Sequence, residues 1–259
     1  MSVRRLSILC CVLAAATLAG CTFAGPSADE PDPEVLWEQY FVYDERLEDV
    51  NGERTSEASG GDETATETVR VHERPFVDYR TAVLEASDPD REGDVYVSNA
   101  SRTWWYDGTT NEARFFAPDE PFESEEVRDA RAEQAAEQRD HVRLEYGGTE
   151  TVADRETHVL EVEARNESVA EGIAVLVGDT EFVYALETVE SDEELLLAEA
   201  RIYLDAEYGY PLKEEIVFDV PDEEAPRYTE RFAEVSFNDG LEDERFAFEP
   251  PANATVEER

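Results

Sequence analysis

Hydrophobic and polar residues change their spacing several times along this chain, and each change marks an element. Leu6 to Ala19 is a mainly apolar run behind the basic pair Arg4 and Arg5. Beyond Pro33, the residues Leu36, Tyr40, Tyr43, Leu47 and Val50 recur at spacings of four, three, four and three, and Trp37 and Phe41 widen the stripe. That period predicts one amphipathic helix reaching from Pro33 to Val50, with Asp32 as its N-cap, proline in its first turn and Asn51-Gly52 as its stop. Ser56 to Thr66 is rich in small and acidic residues and reads as a loop. From Val69 the period falls to two. Val69 and Val71 alternate with Arg70 and His72, Leu160, Val162 and Ala164 with Glu161 and Glu163, Ile202 and Leu204 flank Tyr203, and Ile216 and Phe218 flank Val217. Such alternation predicts half-buried antiparallel strands. Arg74-Pro75, Asp88-Pro89, Asp107-Gly108, Gly147-Gly148, Gly178-Asp179 and Asp239-Gly240 supply turn signals between them. Ser124 to Arg139 interrupts the strands with a second helix, whose narrow apolar face of Val127, Ala130 and Ala135 lies over the sheet. The architecture these elements predict is one α+β domain, a meander of strands around one or two helices.

Composition changes the picture in two ways. The chain carries 22 basic and 65 acidic residues, a formal net charge of −43, and Lys213 is its one lysine. Self-repulsion of that size is strong in dilute buffer, and in molar salt the Debye length falls to about 3 Å and screens it. The carboxylates are spread along the whole chain instead of forming one tail, which fits a halophilic, acidic protein kept hydrated in brine. Nucleic acid is excluded as a partner, because binding it needs a basic face. With 41% hydrophobic and 10% aromatic residues the chain can still build a substantial core.

The apolar run at the N-terminus is 14 residues long, too short to span a bilayer, which takes about 20. A charged start, a short apolar stretch and a small-residue exit make residues 1–20 a secretory signal peptide. The exit, Leu18-Ala19-Gly20-Cys21, resembles the lipobox of bacterial and archaeal lipoproteins, in which the chain is cut before the cysteine and lipid is attached there. The resemblance makes Cys21 the lipid anchor and residues 21–34, with Gly25, Pro26, Pro31 and Pro33, its tether. Cys10 and Cys11 leave with the signal, so the mature chain has no internal disulfide, and His72, His141 and His158 are too isolated to make a metal site. Ser2-Val3-Arg4-Arg5-Leu6 is a partial twin-arginine motif. Asn99-Ala100-Ser101, Asn166-Glu167-Ser168 and Asn253-Ala254-Thr255 are glycosylation sequons that an exported chain exposes to modification.

Four phrases carry a wider resemblance. They are Ser101 to Gly108 with its aromatic-Tyr-Asp turn, Gly148 to Val152 leading into His158 to Val162, Ile202 to Asp205 leading through Tyr210-Pro211-Leu212-Lys213, and Phe246-Ala247-Phe248-Glu249-Pro250-Pro251. In that order, with the opening helix, they resemble the LolA- and LolB-like lipoprotein carriers over most of residues 35–256. The resemblance implies an antiparallel unclosed β-barrel over residues 35–259, a half-barrel wrapped around an apolar cavity and covered by one or two helices. It implies non-covalent binding of lipid or lipoprotein acyl chains there, without cofactor, metal or catalysis, by a protein held on the outer face of the cell membrane through Cys21. The chain departs from the soluble carriers by that anchor and by residues 166–199, which read as an added hairpin and acidic linker. The alternative function is a non-catalytic envelope sensor or scaffold that binds a protein partner.

The residues themselves name candidate walls for such a cavity. Trp104, Trp105, Tyr106, Phe115 and Phe116 form the densest aromatic group. Consecutive strand residues face opposite ways, so Trp104 shares a face with Tyr106 and Trp105 opposes them. Together with the helical stripe, this gives Leu36, Tyr40, Tyr43, Leu47, Trp104 and Tyr106 as candidate ligand-binding residues. Core packing is the plainer reading of each, and the stripe either plugs the half-barrel or forms one of its walls. No Gly-x-Ser-x-Gly, His-Glu-x-x-His or phosphate-loop motif is present, which leaves catalysis without support.

Overall fold

The computed structural model describes residues 30–61, 63–165, 174–177, 180–183, 196–219 and 225–258. The signal peptide, Cys21 and Asn166 lie outside the described residues. Helix α1 (Pro33–Phe41) opens as its sequence dictates, with the Asp32 carboxylate accepting the Glu34 N–H at 3.0 Å. It ends nine residues earlier than the stripe predicts. Val42 is extended, and two residues later the Asp44 N–H goes to the Tyr208 carbonyl instead of continuing the helix. Val50, Asn51 and Gly52 belong to strand β1 (Val50–Gly60), and Ser56 to Thr66 is no loop but the facing ends of β1 and β2 (Glu63–Arg74). Tertiary pairing overrides local spacing here: β1 is hydrogen-bonded on both sides, which no helix over the same residues could match. The Thr55 and Thr68 hydroxyls meet across the hairpin at 3.0 Å.

The meander continues through β3 (Asp78–Ala86), β4 (Val95–Asn99), β5 (Arg102–Asp107) and β6 (Glu112–Phe116). Helix α2 follows at Ser124–Arg139, the bounds its sequence predicts, with Val127 and Ala135 buried but Ala130 exposed. Next come β7 (Val142–Val152), β8 (Arg155–Ala164), a separate hairpin of β9 (Ala174–Val177) and β10 (Thr180–Val183), then β11 (Leu196–Asp205), β12 (Pro211–Asp219), β13 (Arg227–Phe237) and β14 (Thr255–Glu258). Gly147-Gly148 is a bulge inside β7, not a turn; the chain reverses at Ala153-Asp154, both in the left-handed region. Strand order in the large sheet is β14-β6-β5-β4-β3-β2-β1-β13-β12-β11-β8-β7. Every pairing is antiparallel except that of β14 with β6. The last long strand, β13, returns to β1 and joins the two arms, while β14 and β7 remain edges. This is an α+β fold, an unclosed antiparallel half-barrel with two helices. At the join, a Cβ on Gly52 would meet the Glu234 carbonyl at 2.4 Å and the Phe232 ring at 2.9 Å, so only glycine lets β1 approach β13 there.

Helix α1 lies on the inner face. A nine-residue helix is marginal alone, but burying Leu36, Trp37 and Phe41 contributes about 1.5–3 kcal/mol per side chain. The outer face of the β2–β6 arm is covered by residues 238–254, which lead into β14 at the sheet edge. Buried Asp49 fastens the start of this strap: its carboxylate accepts the N–H groups of Asp239, Gly240 and Leu241 at 2.9, 2.8 and 3.0 Å. Arg74 reaches Asp243 and the Leu241 carbonyl, Arg80 donates to the Arg245 carbonyl at 3.2 Å, and Phe246 is buried. Replacing Asp49 with alanine should therefore cost about 2–3 kcal/mol, read as a lower denaturant midpoint, and should expose the amides of residues 239–241 to faster hydrogen exchange. Unchanged exchange there would refute the fastening role.

Candidate functional site

Side chains opposite each other on paired strands share a face, so the inner face can be followed strand by strand. Ile216 opposes Ala200 and Tyr228, Glu214 opposes Ile202 and Glu230, Arg54 opposes Phe232 and Val69, Glu73 opposes Tyr79, and Tyr96 opposes Trp105. This path runs unbroken from beneath α1 to the far arm of the sheet, and it has three regions.

The first region is filled by the protein itself. Leu36, Trp37 and Phe41 pack on Leu160, Val162, Ala200, Ile202, Ile216 and Phe218. Tyr40 closes the rim, its ring 5.1 Å from that of Phe41. The Trp37 indole N–H donates to the Ala135 carbonyl at 2.9 Å and ties α1 to α2. Tyr43 and Leu47, beyond the helix end, enter a second cluster with Val50, Val71, Tyr210 and Phe232. Leu36 and Tyr40 thus belong to a plug, and Tyr43 and Leu47 extend it by a different route from the single helix expected.

The second region is a polar girdle across the middle of the sheet. Arg54 pairs with Glu230 at 2.9 Å, donates to the Tyr79 hydroxyl at 2.9 Å, and lies over the Phe232 ring. The Tyr228 hydroxyl donates to Glu230 at 2.8 Å. The Tyr210 hydroxyl donates to Glu73 at 2.6 Å, and Arg131 of α2 donates to the Tyr43 hydroxyl at 3.1 Å. Burial pushes the Glu73 carboxyl above its ordinary range, against the pull of Tyr210 and Arg131, and pushes the Tyr43 phenol up to about 12. Glu214 is pushed up to about 7, first by burial and next by Glu230, with Arg54 and Tyr40 opposing the shift.

The third region is an aromatic wall. The rings of Tyr79 and Tyr96 lie 5.9 Å apart and those of Tyr96 and Trp105 lie 5.8 Å apart, all three half-buried. Trp104 and Tyr106 sit on the opposite, outer face, where Trp104 meets Phe115 at 4.9 Å and both rings meet Phe248 of the strap at 5.7 and 5.6 Å. The six candidate ligand-binding residues are therefore divided: four line or extend the plug, and two lie under the strap. Trp105 belongs to the candidate aromatic group but not to the six residues chosen from it and the helix, and Tyr79 and Tyr96 carry no sequence signal of their own. Strand parity already separated Trp105 from Trp104, and only the direction of the inner face was missing.

A groove of about 500 Å³ also lies between the helices, with Val35, Trp37 and Val42 on one side and Ala132, Ala135 and Ala136 on the other. Arg139 pairs with Glu34 through both carboxylate oxygens at one end, and Arg128 pairs with Glu45 at 2.7 Å. Among the described residues no group of three His, Cys, Asp or Glu is arranged to hold a metal ion.

No protein-family model and no curated protein sequence matches the chain. Solved structures with similarity include the Pseudomonas aeruginosa MucA/MucB complex, at 13% identity and a TM-score of 0.46 over 85% of this chain and 62% of that one. A LolA superfamily protein from Nitrosomonas europaea is 10% identical with a TM-score of 0.37, over 85% of this chain and 99% of that one. The lipoprotein LppX from Mycobacterium tuberculosis is 12% identical with a TM-score of 0.38, over 82% and 99% of the two chains.

The girdle predicts a pH dependence. A carboxyl whose pKa is higher in the folded chain than its ordinary 4.5 contributes stability fully below that value and loses it as pH rises through about 7. At constant molar salt, the wild-type chain should lose melting temperature across this window, and Glu214→Gln should remove about 3–6 °C of that loss. Parallel curves for the two proteins would contradict the assignment. Glu73 shifts in the same direction in both and cancels in the difference.

Proposed function

We propose that this is an exported, non-catalytic binding protein, anchored at the outer face of the membrane through lipidated Cys21, whose half-barrel holds an apolar chain. The ligand class is a lipid or lipoprotein acyl chain, and the site is the aromatic wall of Tyr79, Tyr96 and Trp105. One observation carries the reading: α1 packs on β8, β11 and β12 of the inner face, while the wall on β3–β5 is only half-buried on that same face. An acyl chain laid along it gains about 0.8 kcal/mol per buried methylene before ordering costs, so tight binding needs no catalytic or charged residue. The Arg54–Glu230 pair limits how far the chain reaches, because displacing α1 to go further would strand buried charge.

A second reading has its own observation. Val35 is 47% exposed at the mouth of the groove between α1 and α2, as an apolar surface for a protein partner would be. In this reading the wall remains empty and the helices carry the function of a sensor or scaffold.

The test is native mass spectrometry of protein from its own membranes in high salt, followed by titration of the delipidated protein with palmitate. Binding should weaken about tenfold or more for Trp105→Ala. Trp104→Ala should leave affinity unchanged and lower stability by about 3 kcal/mol, because its ring is buried under Phe248. No co-purifying lipid and no palmitate binding would refute the carrier reading and leave the partner reading.

A further inference from the structure

Two of the three sequons fall on described residues, and their surroundings differ. Asn99 ends β4 half-buried beneath the strap. Its amide nitrogen, the atom that a glycan would occupy, donates to the Phe246 carbonyl at 2.9 Å. Its amide oxygen accepts from the Ser101 N–H at 3.0 Å, the Ser101 hydroxyl at 3.1 Å and the Arg102 N–H at 3.1 Å. A sugar on Asn99 would take one of the two hydrogens of that nitrogen and place its bulk between β4 and the strap, wedging the strap away from the outer face.

Asn253 is placed in the opposite way. It is the third residue of a tight turn closed by the Ala254 N–H on the Pro251 carbonyl at 2.8 Å, and both it and the sequon residue Thr255 are exposed. The turn is held through its backbone alone: the Asn253 carbonyl accepts from Asn111 at 2.9 Å, and the Thr255 N–H reaches the Asn111 carbonyl at 3.1 Å. The side chain therefore projects from a fixed turn. β14, which follows, is four residues long and pairs on one side only, so it peels from β6 at little cost and gives a transferase an extended acceptor.

We propose that Asn253 is a glycosylation site and Asn99 is not. The inference rests on the export proposed above. The donor is a sugar linked through phosphate to a carrier lipid. Its C1–oxygen bond breaks as a C1–nitrogen bond forms at Asn253 Nδ2, and one amide proton leaves with the carrier phosphate. The attached glycan stands at the entrance to β14, an edge strand with Val256 46% exposed, and blocks the approach of another strand to that edge.

Peptide mass spectrometry of protein purified from native membranes tests this, with the N-terminal peptide read in the same experiment. The expected result is a sugar-bearing peptide at Asn253, an unmodified peptide at Asn99, and a chain beginning at Cys21. Asn253→Gln should abolish the mass addition at this position, while Asn99→Gln should leave it and lower the melting temperature instead. An unmodified Asn253 on a chain beginning at Cys21 overturns the proposal alone. An unmodified chain that retains its first twenty residues overturns export and this site with it. A glycan on Asn99 of the folded protein overturns the distinction between the two sites.

Discussion

The Arg54–Glu230 ion pair decides what the inner face of the sheet can do. Both side chains are largely withdrawn from water, at 11% and 16% exposure, on strands that join the two arms. Such a pair adds little net stability, because desolvation cancels most of the attraction, yet removing one partner costs about 3–5 kcal/mol. It therefore acts as a fixed divider. On one side Glu214 sits beside Tyr40 of α1, and on the other the Tyr79 hydroxyl accepts a hydrogen bond from Arg54, which orients the first ring of the aromatic wall. A single continuous apolar cavity is incompatible with this girdle.

The sheet also has a second face to bury, and the chain covers it with its own end. Residues beyond β13 turn back under the Asp49 carboxylate, run across Arg74 and Arg80, and lay Phe246 and Phe248 over the outer side chains of β4–β6. This cover buries Trp104 and packs half-buried Tyr106 against Phe248, on the face opposite α1. It also orients Asn99, whose amide holds the strap at its midpoint. The inner cover by α1 lies on the β8, β11 and β12 side, and the proposed ligand surface is the half-buried wall of Tyr79, Tyr96 and Trp105 on the other arm.

Much of this was legible in residue order. The bounds of α2, the capped start of α1, the period-two strands and the opposition of Trp104 to Trp105 follow from local chemistry, and the structure repeats them. The end of α1 was not legible. Tyr43, Leu47 and Val50 keep helical spacing and are all buried, but in a different cluster, because a segment that turns at Glu45-Arg46, with the Leu47 N–H on the Asp44 carbonyl, brings residues at the same intervals against Tyr210 and Phe232. Ser56 to Thr66 failed for a related reason: small and acidic residues lack the strand signature, and the hairpin is held by β13 and by the Thr55–Thr68 pair beside it instead. Ala153-Asp154 carries no glycine to announce its turn. The inner direction of the far arm depends on the return of β13 to β1, a contact between residues about 180 positions apart that no local window contains.

The most direct measurement is hydroxyl-radical footprinting of the delipidated protein with and without palmitate, read residue by residue in high salt. The wall assignment predicts that Tyr79, Tyr96 and Trp105 become protected, while buried Trp104 stays unreactive and Tyr106 keeps the same reactivity in both states. Protection at Trp104 and Tyr106, or no change at the wall under saturating ligand, would contradict it.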